Sequence, residues 1–181
     1  MDGDLLGRVI GCMHHVAHNE VHVLAGECDP NLCISTRAPG RGAQSRWLGG
    51  RHRTHADGPI GADLFERVAP AGKTVLVRTG WSARWGRDGY FRSGPFLIAA
   101  ACAWLIQRGP PALVGIDCAN IDNISDTTRP AHTLLLGASV PIVEHLTGLD
   151  SLPPHGFRFF AVPPAIARGT TFTVRAFALI D

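Results

Sequence analysis

TVLVRTG (residues 74–80) and ALVGIDC (112–118) are short runs of aliphatic and β-branched residues, each closing on a polar or glycine position. Neither alternates apolar with polar, which is the pattern of a strand buried on both faces. Between them lies FLIAAACAWLI (96–106), whose composition predicts a helix over 95–107, ending near Arg108 and Gly109 ahead of Pro110 and Pro111. Strand, helix and strand in this order make a β-α-β unit, which points to an α/β domain with a mixed sheet.

Outward from this unit, DLLGRVIGCMHHVA (4–17) sets Leu5, Val9, Ile10, Met13 and Ala17 on one helical stripe and predicts an N-terminal amphipathic helix. APGRGAQ (38–44) reads as a loop. Beyond residue 131, LLLGASVPIVEHL (134–146) and FRFFAVPPA (157–165) read as extended, and TTFTVRAFALID (170–181) as a closing strand of Thr, Phe and Val. There is no internal repeat or low-complexity linker.

With 181 residues, 45% of them hydrophobic and 18% charged, the chain suits one packed domain over 1–181. A net charge of +2 gives no electrostatic case for nucleic acid. The longest apolar stretch falls well short of the roughly 20 residues of a membrane-spanning helix. Five cysteines, Cys12, Cys28, Cys33, Cys102 and Cys118, include no CxxC pair. The N-terminus lacks a charged head followed by a long apolar run, so the expected compartment is the reducing cytoplasm.

RHRTHADGPIG (51–61) carries the chemistry. On an extended strand Arg51, His55, Asp57, Pro59 and Gly61 face one way, and His52 and Thr54 the other. An imidazole and a carboxylate at His55 and Asp57 suit zinc or manganese, but two ligands rarely hold an ion. The ordinary alternative is a turn, with Asp57 accepting backbone N–H bonds before Gly58-Pro59 and His55 on the surface. On these two residues alone the turn is the simpler reading. His132 and Glu144 join the site only if the fold brings them near.

THADGP (54–59), VLVRTGWSARWGRDGYF (75–91), VGIDCANID (114–122), AHTLLLGASVPIVEHL (131–146) and TFTVRAFALI (171–180) resemble, in this order, the cyclase family of metal-dependent hydrolases, which includes bacterial-type kynurenine formamidase and isatin hydrolase. The likeness runs over 45–181, while 1–44 match the family poorly. It implies a single cyclase-like domain with a mixed, partly barrel-like sheet flanked by helices, a divalent metal, and a homodimer or larger homo-oligomer. The apolar stripe of the N-terminal helix offers a seam.

The family pattern HxGTHxDxPxH supplies three ligands and a final catalytic His, with a later His and Glu completing the site. Carried over by position, His55, Asp57, His132 and Glu144 match as metal ligands, the last two also as catalytic residues. Three positions depart: Arg51 stands at the first ligand, Arg53 at the glycine, and Gly61 at the catalytic base. A guanidinium has no lone pair to give and repels a divalent ion. His52 lies one residue out of register for the lost ligand and needs a bulge to turn inward. His145 and His155 are stand-ins for the base, each set against an ordinary surface or half-buried histidine.

Three readings follow. The first is metal-dependent hydrolysis of a cyclic or linear amide or ester by activated water. The second is a metal-independent cyclase, dehydratase or lyase acting on a natural-product intermediate, with Arg51 and Arg53 polarising a carboxylate, phenolate or carbonyl while His55, Asp57 or Glu144 moves protons. The third is a non-catalytic relative binding a small molecule. Trp81 and Trp85 suit an aromatic substrate, and core or interface packing serves equally well, as it does for Tyr90 and Phe91. Asp117, Asn120 and Asp122 follow a buried strand, either as a functional loop or, more simply, as braces of the turn. His14, His18 and His22 have helical spacing but read as a solvated face, and Cys28 and Cys33 carry no catalytic role.

Overall fold

The computed structural model describes residues 58–162 and 171–180, with the backbone alone of 8–10, 19–22 and 45–48. The strands are β1 (Arg8–Ile10), β2 (Asn19–His22), β3 (Ser45–Leu48), β4 (Pro59–Ile60), β5 (Thr74–Val77), β6 (Phe96–Leu97), β7 (Leu113–Ile116), β8 (Ile142–Val143), β9 (His155–Val162) and β10 (Thr171–Ile180). The helices are α1 (Ala99–Gln107) and α2 (Pro130–Gly137), with 3-10 turns at 62–65, 81–84 and 149–151.

The central β-α-β unit forms as its sequence dictates. All four residues of β5 and of β7 are buried, and the two strands pair in parallel, Thr74 beside Leu113. Their side chains alternate between two cores. Val75, Val77, Val114, Ile116 and Ile142 enter the core covered by α1 and α2. Leu76, Leu113 and Val143 join Leu146, Phe157, Phe159 and Val174 on the other face. Gly115 is required at its place, since a Cβ there would stand 2.7 Å from methyl carbons of both Leu146 and Leu76.

Helix α1 starts later than its composition suggests, because Phe96 and Leu97 pair instead with Pro59 and Ile60. It stops where expected. Gly109 has φ +103, and a Cβ there would meet the Ala71 Cβ at 2.7 Å. A second crossover, β7-α2-β8, repeats the first, with Val114 beside Ile142 in parallel register. The whole sheet is mixed, in the order β1-β10-β2-β8-β7-β5-β3-β9, with a further pairing of β9 to β10. Among the described residues no helix is long and apolar enough to cross a membrane.

Two expectations are corrected. Arg8–Ile10, placed in an amphipathic helix by spacing, is a strand antiparallel to β10, Arg8 beside Ile180. A continuous helix through that segment is excluded. The β-branched Val9 and Ile10 suit a strand, and the long β10 supplies a partner that helical periodicity does not register. The second correction falls on LLLG (134–137), read as extended, which belongs to α2. A short leucine run carries no period that separates a buried strand from a buried helix. The deciding cap is remote: Asp122 Oδ1 accepts from the Ala131 N–H (2.6 Å) and Oδ2 from the His132 N–H (3.1 Å).

Candidate active site

Strands β5, β7 and β8 run parallel, and the segments leaving their carboxyl ends meet, as ligand-binding loops of α/β sheets do. Asp117, just past β7, accepts from the Thr79 N–H and hydroxyl at 2.6 Å each and from the Gly80 N–H at 2.8 Å. Burial pushes its carboxyl above the ordinary value against those hydrogen bonds. Its work is to brace the turn after β5. Just past β8, Glu144 Oε1 accepts from the Ile121 N–H at 2.6 Å, and the His145 N–H donates to the Cys118 carbonyl at 2.9 Å.

His132 is the third residue of α2, and its orientation is fixed by Asp122. Nδ1 lies 2.6 Å from Asp122 Oδ2. Burial pushes the Asp122 carboxyl up, but hydrogen bonds from the His132 ring and from the Ala131 and His132 amides outweigh it and hold the pKa below its ordinary value. An ionised Asp122 takes the Nδ1 proton as a hydrogen bond, which leaves the lone pair on Nε2. That nitrogen stands 3.6 Å from Glu144 Oε1. Both residues are buried, at 6% and 2% exposure. The fold thus brings together residues separated by β8 and most of α2. Asn120 braces the preceding turn, its Oδ1 accepting from the Asp122 N–H at 2.8 Å.

Arg129 was not singled out by the sequence, where its one signal is its place before the proline that opens α2. Its guanidinium donates to His132 Nε2 at 2.9 Å, and its backbone is left-handed, φ 46 and ψ 59. His145 shares that rare conformation, with φ 59.

A second polar pair stands beside Glu144. The Tyr90 hydroxyl lies 3.1 Å from His145 Nδ1, both residues buried. Burial, with smaller contributions from Cys118, Asp117 and Glu144, holds the phenol far above its ordinary pKa, so it stays protonated and donates. Trp85 and Phe91 pack their rings against His145 at 5.6 and 5.7 Å, and Phe91 is 62% exposed. Trp81 sits in the core instead, its indole N–H donating to the Tyr90 carbonyl at 3.1 Å.

Arg51, His52, Arg53, Thr54, His55 and Asp57 lie outside the described residues, as do His14, His18, Cys12, Cys28 and Cys33. Gly61 has an ordinary extended backbone, and a Cβ on it would stand 2.5 Å from Asp63 Oδ1. His155 opens β9 and is exposed. Among the described residues no three His, Cys, Asp or Glu are placed to hold a metal ion. The imidazole Nε2 and the Glu144 carboxylate are nonetheless donor atoms of the right chemistry for a divalent ion, Nε2 here accepting from the Arg129 guanidinium.

The cyclase family model matches residues 62–123, the segment that carries β5, α1, β7 and Asp122. The backbone superposes on isatin hydrolase A from Ralstonia solanacearum with a TM-score of 0.72 at 26% identity, covering 90% of this chain and 71% of that one. The chain carries the cyclase-family fold. A second structure with this cyclase-like fold, described as a predicted metal-dependent hydrolase from Bacillus stearothermophilus, gives a TM-score of 0.70 at 19% identity, over 92% of this chain and 78% of its own. An uncharacterized protein of Methanocaldococcus jannaschii is 31% identical over 123 residues, 67% of this chain. The chain spans 62% of that relative's length.

Proposed function

We propose that this cyclase-like chain is a metal-dependent hydrolase that opens a cyclic or linear amide or ester. The observation that carries the reading is the His132 Nε2 lone pair, held 3.6 Å from Glu144 Oε1 by the Asp122 hydrogen bond on Nδ1. Ligating histidines in metal sites are held by carboxylates in this way. The likeness to isatin hydrolase A supports the reaction class. His55 and Asp57 would complete the ligand set with His132 and Glu144, and zinc or manganese suits these donors.

When bound, such a metal supplies a water acidic enough to act as hydroxide near neutral pH. The chain's own residues do the rest. Asp122 fixes the His132 tautomer, and the Ile121 N–H fixes one Glu144 oxygen. Trp85 and Phe91 form an apolar flank beside His145, suited to a planar ring. The same reading takes the sheet as partly barrel-like, supported by the pairing of β9 with both β3 and β10.

The Asp122–His132 pair also favours a second reading. An imidazole oriented by a carboxylate at Nδ1, with Nε2 as its accepting nitrogen, is the arrangement of a general base, and it would serve a metal-independent cyclase or lyase as well. A panel of lactams, N-formyl anilides and aryl esters, assayed with and without a strong chelator, separates the two. Hydrolysis abolished by the chelator and restored by zinc or manganese supports the first. Turnover indifferent to the chelator supports the second.

A further inference from the structure

Arg129 is where the described site meets solvent. The residue is exposed, and one guanidinium nitrogen donates to the Nε2 of the buried His132. Asp122 and Glu144 lie against the same imidazole, yet among the described residues no carboxylate forms an ion pair with Arg129. A guanidinium keeps its charge and carries five N–H donors, so the contact of one of its nitrogens with the His132 ring leaves most of them, and the charge, uncompensated among the described residues.

The backbone around Arg129 is built to hold it there. Asp126 Oδ1 accepts from the Thr128 N–H (2.9 Å) and hydroxyl (2.6 Å), and the Arg129 carbonyl accepts from the Thr133 N–H at 2.9 Å. Between them the Arg129 backbone is left-handed, a conformation that is costly for a residue with a Cβ. Strain of this kind gathers where a side chain must be aimed at a ligand.

We propose that Arg129 binds the carboxylate of the product, and the oxyanion that precedes it, beside His132. This inference rests on the hydrolase reading. In that reaction the water oxygen adds to the carbonyl carbon, the C–N or C–O bond breaks, and the departing nitrogen or oxygen takes a proton. The acyl half leaves as a carboxylate. A planar, two-oxygen anion is the partner whose geometry matches the guanidinium fork. Arg51 and Arg53, the arginines singled out by the sequence, are therefore not needed to supply this charge.

The test uses benzoate and its neutral isostere benzamide, titrated calorimetrically into the full chain, wild type and the variants Arg129→Gln and Arg129→Lys. Wild type should prefer benzoate. Arg129→Gln should weaken benzoate about tenfold or more while leaving benzamide unchanged. Arg129→Lys, which keeps the charge and loses the fork, should fall between them. Equal benzoate affinity in Arg129→Gln and wild type, equal loss of both ligands, or no preference in wild type would each overturn the assignment. Benzoate discrimination without hydrolysis of any amide or ester would overturn the hydrolase reading and keep the anion site. Hydrolysis with unchanged benzoate affinity in Arg129→Gln would do the reverse.

Discussion

Replacing Asp122 with asparagine keeps the shape of the side chain and removes what the site needs from it. Three hydrogen bonds end on the carboxylate, from the Ala131 N–H, the His132 N–H and His132 Nδ1. The amide oxygen can keep the first, but the amide nitrogen then faces two donors. Losing charge-assisted bonds at a buried helix start costs about 2–4 kcal/mol. For a chain of this size that lowers the thermal midpoint by about 5–15 °C. The His132 ring has one escape, to carry its proton on Nε2 and accept from the new amide at Nδ1, which removes the lone pair facing Glu144.

Thermal unfolding followed by circular dichroism reads the first effect, and nitrogen NMR of the His132 ring reads the second. The acid limb adds a signed check. Folding holds the Asp122 pKa below its ordinary value of 3.8, so its contribution is fully present above that pH and is lost as pH falls through the lower folded value. The gap between wild type and Asp122→Asn should be flat above about pH 5 and close below about pH 4. Midpoints within about 1 °C of each other at pH 7, with the tautomer unchanged, would refute the reasoning.

Tyr90→Phe removes the donor to His145 Nδ1 and leaves a buried acceptor without it, so denaturant unfolding should show a loss of about 1–3 kcal/mol. Among the described residues a Cβ at Gly61 meets only the end of the exposed Asp63 side chain, and the backbone there is ordinary, so in Gly61→His stability should stay within about 0.5 kcal/mol. If the base position implied by the family pattern is real, hydrolysis in that variant should rise, up to about a hundredfold in kcat. Gly115→Ala drives a methyl against Leu146 and Leu76 and should cost about 1–3 kcal/mol by the same unfolding measurement.

The central unit was legible because β5 and β7 are buried on both faces and α1 ends on a glycine followed by two prolines, all local signals. Helix α2 was not, because its cap is Asp122, outside its own segment, and a leucine run has no period of its own. Val9 and Ile10 misled for a related reason: their partner, β10, lies at the other end of the chain. At the site, the spacing of His132 and Glu144 says nothing by itself, and only the resemblance paired them. Asp122 was weighed mainly as a turn brace, and it proves both to cap α2 and to orient His132. Arg129 escaped notice because its role depends on a backbone conformation and a ring nitrogen that no residue pattern records.

Elemental analysis of protein purified without a metal-affinity tag tests the metal centre most directly, with His132→Ala and His55→Ala beside the wild type. The account predicts about one equivalent of zinc or manganese in wild type and little in either variant. Equal metal content in wild type and His132→Ala, whether none or one equivalent, would contradict it.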